Sequence, residues 1–248
     1  MTLLARGPLI DWGWIGEHLD VIRAATVEHL QLTAIAVGIG FALSMALALL
    51  ALQWRWSYPL LAGFCSVLYS IPSLALFGIL VPITGLGTVP AVIALVGYTL
   101  LILLRNIVAG IDGVPAPVRE AADGMGFEHW RRLARVDLPL ALPAIIAGLR
   151  IATVTTIGLV TITAYVGLGG YGDLIREGLR RQSAPQASTL VILGTGLSVV
   201  MAVVFDLLFV GVEHLATPWA RRPRLAPIEP MEPVPVAAIP AGGSLSDG

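Results

Sequence analysis

The sequence predicts an all-α polytopic membrane protein with about five transmembrane helices, and three observations carry that prediction. Of the 248 residues, 56% are hydrophobic and only 12% are charged, with a mean hydropathy of +0.86, far more apolar than a water-soluble domain. Five long apolar runs follow one another, most of them near the roughly 20 residues that cross a hydrocarbon core of about 30 Å. None alternates with the dyad period of a barrel strand, and an unpaired amide in lipid costs several kcal/mol, so each run must satisfy its backbone as a helix.

At the N-terminus, Asp11, Glu17 and Asp20 interrupt the apolar residues, which argues against a cleaved secretory leader. Residues 1–29 read as an extracytoplasmic interfacial segment, with Trp12 and Trp14 suited to the headgroup layer. The apolar runs extend approximately over Leu30 to Leu52, Tyr58 to Pro82, Val89 to Leu104, Pro143 to Val166 and Thr189 to Val212, the third being the shortest. Residues 219–248, with prolines at 227, 230, 233, 235 and 240 and a Gly-Gly-Ser ending, read as a disordered cytoplasmic tail. No internal repeat stands out.

All fifteen basic residues are Arg, so the chain has no lysine for a phosphate-binding loop of the G-x-x-x-x-G-K-[ST] type or for a Schiff base. Cys65 is the only cysteine and can form neither an internal disulfide nor a thiolate cluster. His18, His29, His129 and His214 show no i, i+4 pairing suited to zinc. No nucleophile, base or metal constellation points to an enzyme, and no cofactor or nucleic-acid partner is expected.

Between the third and fourth runs lies a polar, arginine-rich loop at 112–139. With this loop in the cytoplasm, Arg55, Arg105, Arg119, Arg131, Arg132, Arg135, Arg221, Arg222 and Arg224 lie inside, while Arg6, Arg23, Arg176, Arg180 and Arg181 lie outside. That nine-to-five bias places the N-terminus outside and the C-terminus inside. Pro115 and Pro117 break the preceding helix, Arg119 to Asp123 reads as a short helix ended by Gly124 and Gly126, and Phe127 to Arg135 reads as a second that ends before Leu138-Pro139. Ala121 and Ala122 offer a face without bulk to an approaching backbone, beside the Glu120 carboxylate.

Glu120-Ala121-Ala122, three residues, Gly126, nine residues, Val136, one residue and Leu138-Pro139 resemble the E-A-A-x3-G-x9-I-x-L-P signature of inner-membrane permeases of ATP-binding cassette (ABC) importers, with Val136 in place of Ile. The resemblance implies a type I ABC importer permease-like fold over 30–218 in a bacterial inner membrane. It further implies that Glu120, Ala121, Ala122 and Gly126 form an elbow docked on a separate ATPase subunit, with Val136, Leu138 and Pro139 as its return into the fourth span. Tyr69 to Leu76, Leu104-Arg105-Asn106 and Gly167 to Asp173 resemble the osmoprotectant branch, whose members import glycine betaine, choline, carnitine or proline betaine. The partners so implied are the ATPase subunit, an extracytoplasmic substrate-binding protein, a second permease subunit of the same or a sister chain, and the bilayer. The competing readings are a permease for another small polar solute such as an amino acid, and a secondary transporter or channel independent of ATP.

Other positions admit two roles each. Pro72, flanked by Tyr69, Ser70 and Ser73, is either a polar kink lining a translocation path or a kink packed against a neighbour. Arg150 and Asp206 are intramembrane charges that by default suggest function. Structural roles are favoured, Arg150 snorkelling or bonding carbonyls of the loop and Asp206 anchoring to Arg221 or Arg222. Gly167, Gly169 and Gly172 match G-x-G-x-x-G but follow a span rather than a strand, so they are expected to form a tight external turn.

Overall fold

The computed structural model describes residues 9–221, and among them there is helix but no strand. The short α1 (Trp12–Glu17) is capped by Asp11, whose Oδ1 accepts the Trp14 N–H at 3.1 Å. A single helix, α2 (Leu19–Gln53), follows. Next come α3 (Ser57–Ser70), α4 (Ser73–Thr84) and α5 (Thr88–Asp112). The loop region holds α6 (Ala116–Gly124), α7 (His129–Arg132) and a π-helical turn at Leu133–Asp137. The long α8 (Leu138–Val160) ends in a 3-10 turn, Thr161–Val166. Beyond it lie α9 (Tyr171–Arg180) and α10 (Ala187–Ala216).

Among the described residues four helical segments are long and apolar enough to cross a membrane, and the bent pair α3–α4 passes the same test taken together, which gives five crossings where the pair counts as one span. α5 is the axis: 72% of its most apolar stretch is buried, against 11% for α10 at the periphery. Leu95, Leu103, Leu104, Ile107 and Ile111 of α5 are almost fully enclosed by α2, α3 and α8. The α5–α8 approach depends on glycine, because a Cβ at Gly148 would lie 2.6 Å from Asn106 Cβ. Small residues at a crossing of this kind let two backbones pack closely where lipid gives no hydrophobic drive.

The elements differ from the sequence expectation in three places. Helix α2 begins at Leu19, so no break separates 19–29 from the first span. Polar residues here hide a helix from a hydropathy reading: Glu28 and His29 reach across to the loop at 167–171 instead of interrupting the helix. The second run is not one kinked helix. Ile71, extended at φ −68° and ψ 127°, precedes Pro72, and α3 and α4 meet at 95°. A residue before proline is pushed out of the helical region, which ends α3 here. Finally, the second loop helix does not stop before Pro139 but runs through the π turn into α8. A π turn widens the coil, which relieves the clash between a proline ring and the carbonyl four residues earlier. The expected tail, apart from its first residues, lies outside the described residues.

Candidate functional site

The polar loop forms an elbow at one end of the bundle. Helix α6 ends at Gly124 and the chain reverses at Gly126, whose φ of +78° is a left-handed conformation that suits glycine. Glu120, Ala121 and Gly126 are exposed, while Ala122 is 1% exposed and packs inward. The small-residue face therefore consists of Ala121 and the glycine turn, not of both alanines. Val136, Leu138 and Pro139 are half-buried along the π turn and the start of α8. Met125 and Trp130, 70% and 53% exposed, extend the outward surface with apolar side chains.

Charges hold the elbow from beneath. The Asp137 carboxylate, 3% exposed, receives Arg119 Nε of α6 at 3.3 Å and lies 3.5 Å from Arg132 Nε of α7. Arg119 also donates through Nη2 to the Ile111 carbonyl near the end of α5. Arg132 Nη1 lies 2.6 Å from both oxygens of Asp123. Arg132 Nε is buried and makes no hydrogen bond, so this network is one bond short of complete. Nearby, Arg55 in the turn after α2 makes a bidentate pair with Asp112 at 2.9 and 2.7 Å, which raises the guanidinium pKa further above its ordinary value.

The break between α3 and α4 gathers the other predicted residues. Tyr69, Ser70 and Pro72 are exposed and Ser73 is half-buried. Ser70 Oγ donates to the Val67 carbonyl at 2.8 Å, Leu76 N–H donates to the Pro72 carbonyl at 3.0 Å, and the Tyr98 hydroxyl donates to the Ile71 carbonyl. The Tyr69 and Tyr98 rings meet edge to face with centroids 5.8 Å apart. The break is thus bridged by hydrogen bonds to the Val67, Ile71 and Pro72 carbonyls, and a tyrosine face remains at the surface.

Arg150 and Asp206 pair with each other through two hydrogen bonds between α8 and α10. Arg150 therefore binds the neighbouring span rather than the loop carbonyls, and Asp206 has a partner within the bundle. Of the partners expected for Asp206, Arg222 lies outside the described residues, as does the side chain of Arg221. Neither sequence run by itself could indicate a pair 56 residues apart.

At the opposite end, Gly167 and Gly170 adopt φ of +86° and +70°. The Gly169 and Gly170 N–H groups donate to the two oxygens of Glu28 at 2.9 and 3.3 Å. The Tyr171 N–H donates to His29 Nδ1 at 3.3 Å, and His29 Nε2 lies 3.0 Å from the Ile157 carbonyl, which places the imidazole proton on Nε2. The amides that would face a pyrophosphate in a dinucleotide fold are occupied by a carboxylate, so the glycines form a clamped turn. Sequence reasoning missed Glu28, His29 and Asp137, whose role lies in partners distant along the chain or in an elbow whose turns spacing does not reveal.

Comparison with known proteins identifies this arrangement. Residues 37–215 match the family described as binding-protein-dependent transport system inner membrane component. The glycine betaine/carnitine/choline transport system permease protein OpuCB of Bacillus subtilis is 34% identical over 78% of this chain and 87% of its own. The osmoprotectant import permease protein OsmW of Salmonella typhimurium is 35% identical over 82% of this chain and 94% of its own. A chain of the inward-facing MetNI methionine ABC transporter superposes with a TM-score of 0.73 at 19% identity, covering 81% of this chain and 98% of that one. A chain of an amino acid ABC transporter gives a TM-score of 0.70 at 20% identity, over 83% and 99%, respectively, and both structures share the fold. The match over 37–215, with relatives at this identity and coverage, shows that the chain belongs to the binding-protein-dependent inner membrane components and is a multi-pass permease subunit of an ABC importer.

Proposed function

We propose that this permease carries osmoprotectants such as glycine betaine, choline or carnitine across the inner membrane, driven by a separate ATPase subunit that docks on the elbow. The observation that carries the docking reading is the exposed Glu120–Ala121 edge beside the left-handed Gly126 turn. A protruding surface with little bulk suits a cleft on a partner. The substrate class rests on the names of the osmoprotectant relatives, and the exposed Tyr69 face adds chemistry suited to a quaternary ammonium.

In this reading Tyr69, Ser70, Pro72 and Ser73 line the translocation path, and a second permease subunit supplies its other wall. An extracytoplasmic binding protein delivers the cargo to the glycine-turn end. The elbow faces the cytoplasm, so the N-terminus lies outside and the C-terminus inside, in agreement with the arginine bias. The Arg150–Asp206 pair fastens α8 to α10 as a structural element.

Gly126→Trp tests the docking assignment. A large side chain in a left-handed turn, at a cost of about 1–2 kcal/mol for that conformation, should leave membrane insertion intact and abolish co-purification with the ATPase subunit. Normal assembly and transport by this variant would refute the assignment.

A further inference from the structure

The position between Val136 and Leu138, which the signature leaves open, is occupied here by Asp137, the most enclosed carboxylate of the elbow. Its partner Arg119 is placed unusually. One guanidinium, carried by α6, bonds through Nη2 to the Ile111 carbonyl of α5 and through Nε to Asp137 at the entrance to α8. The two spans that flank the elbow are therefore joined through a single side chain of the elbow helix.

Resting on the docking reading above, we propose that Asp137 is a positioning residue that, with Arg119, makes the elbow a rigid lever moving α5 and α8 together. Apart from this junction α6 is connected to α5 by the short turn at 113–115, where Val114 is buried, and to α7 by the Gly126 turn, and neither of these local connections ties α5 to Asp137 at the entrance to α8. With it, a push on the outer face of α6 reaches the carbonyl end of one span and the first turn of the next at the same time. The second cation, Arg132, clamps Asp123 at the far end of α6 and stands beside the same carboxylate, so both ends of α6 are referred to Asp137. Asp137→Asn keeps the shape and removes the charge that holds both arginines.

The test uses the assembled transporter in proteoliposomes with Tyr165→Cys as a reporter, a residue 58% exposed in the 3-10 turn at the far end of α8, in a Cys65→Ala background. Maleimide reactivity is compared before and after trapping with ATP and vanadate, a readout that does not depend on which cargo is carried. The parent should change reactivity on trapping. Asp137→Asn should still co-purify with the ATPase subunit and hydrolyse ATP, yet the trapping response should fall about tenfold, the size of a lost coupling between distant sites. Asp137→Glu should restore most of it, and Arg119→Lys, too short and without a fork to bond both partners, should behave like Asp137→Asn. An undiminished response in Asp137→Asn, loss of the complex itself in that variant, or no response in the parent would each overturn the lever. Failure of the docking reading shows separately, as a Gly126→Trp chain that still assembles with the ATPase.

Discussion

The two ends of the bundle each hold an irregular turn by reaching across to it, but with different chemistry. At the glycine turn, Glu28 and His29 of α2 accept three successive backbone N–H groups, from Gly169, Gly170 and Tyr171. At the elbow, side-chain charges meet side-chain charges, Arg119 and Arg132 around Asp137, and one buried donor remains unpaired. Amides bonded to fixed acceptors hold a backbone in a single shape. A network of long arginine side chains holds distance and direction while leaving the outer face of α6 free. The contrast is between an end fixed in one backbone shape by amide bonds and an end braced by side-chain charges with its outer face exposed.

The largest expected effect lies at the glycine turn. Glu28→Ala strips two amides of a charged acceptor, at about 3–6 kcal/mol given roughly 1.5–3 for each bond to an ionised group. The thermal midpoint of the detergent-purified protein should fall markedly. If it is unchanged, the turn is not clamped and the contrast between the ends disappears. Gly148→Ala probes the axis that joins the ends, since its Cβ would stand 2.6 Å from Asn106 Cβ. Forcing α5 from α8 should cost about 1–3 kcal/mol, and transport and stability should fall together. Tyr98→Phe removes the bond to the Ile71 carbonyl at the helix break and should cost about 1 kcal/mol, with a larger effect on uptake than on stability if Tyr69 lines the path. Smallest is Arg55→Ala. Its pair with Asp112 is more than a third exposed on both sides, so after screening it is worth no more than about 1 kcal/mol, and that difference should shrink further in high salt.

Much of this architecture was legible because lipid leaves the backbone so few choices. The α5, α8 and α10 crossings follow from apolar runs, and the spacing from Glu120 to Pro139 located the elbow. The start of α2 was hidden because Asp20, Arg23 and Glu28 lower its hydropathy, and Glu28 finds its partners 141 and 142 residues away. The α3–α4 break has a local cause in the Ile71-Pro72 step, but its 95° angle depends on packing that a sequence does not display. Ala122 was expected on the outer face and lies inside, because the placement of α6 on the bundle, rather than its composition, decides which alanine is covered. Asp137 was passed over for a related reason, since a signature names the positions that recur and this carboxylate occupies one that it leaves open.

The central claim is that the elbow projects into the cytoplasm, where a nucleotide-driven partner can reach it. Glu120→Cys in a Cys65→Ala background, treated with a membrane-impermeant maleimide in intact cells or spheroplasts, tests it most directly. With the permease expressed without its ATPase subunit, no labelling should occur until the inner membrane is permeabilised, and labelling should be strong afterwards. Labelling of position 120 from the outside in sealed cells would contradict the claim.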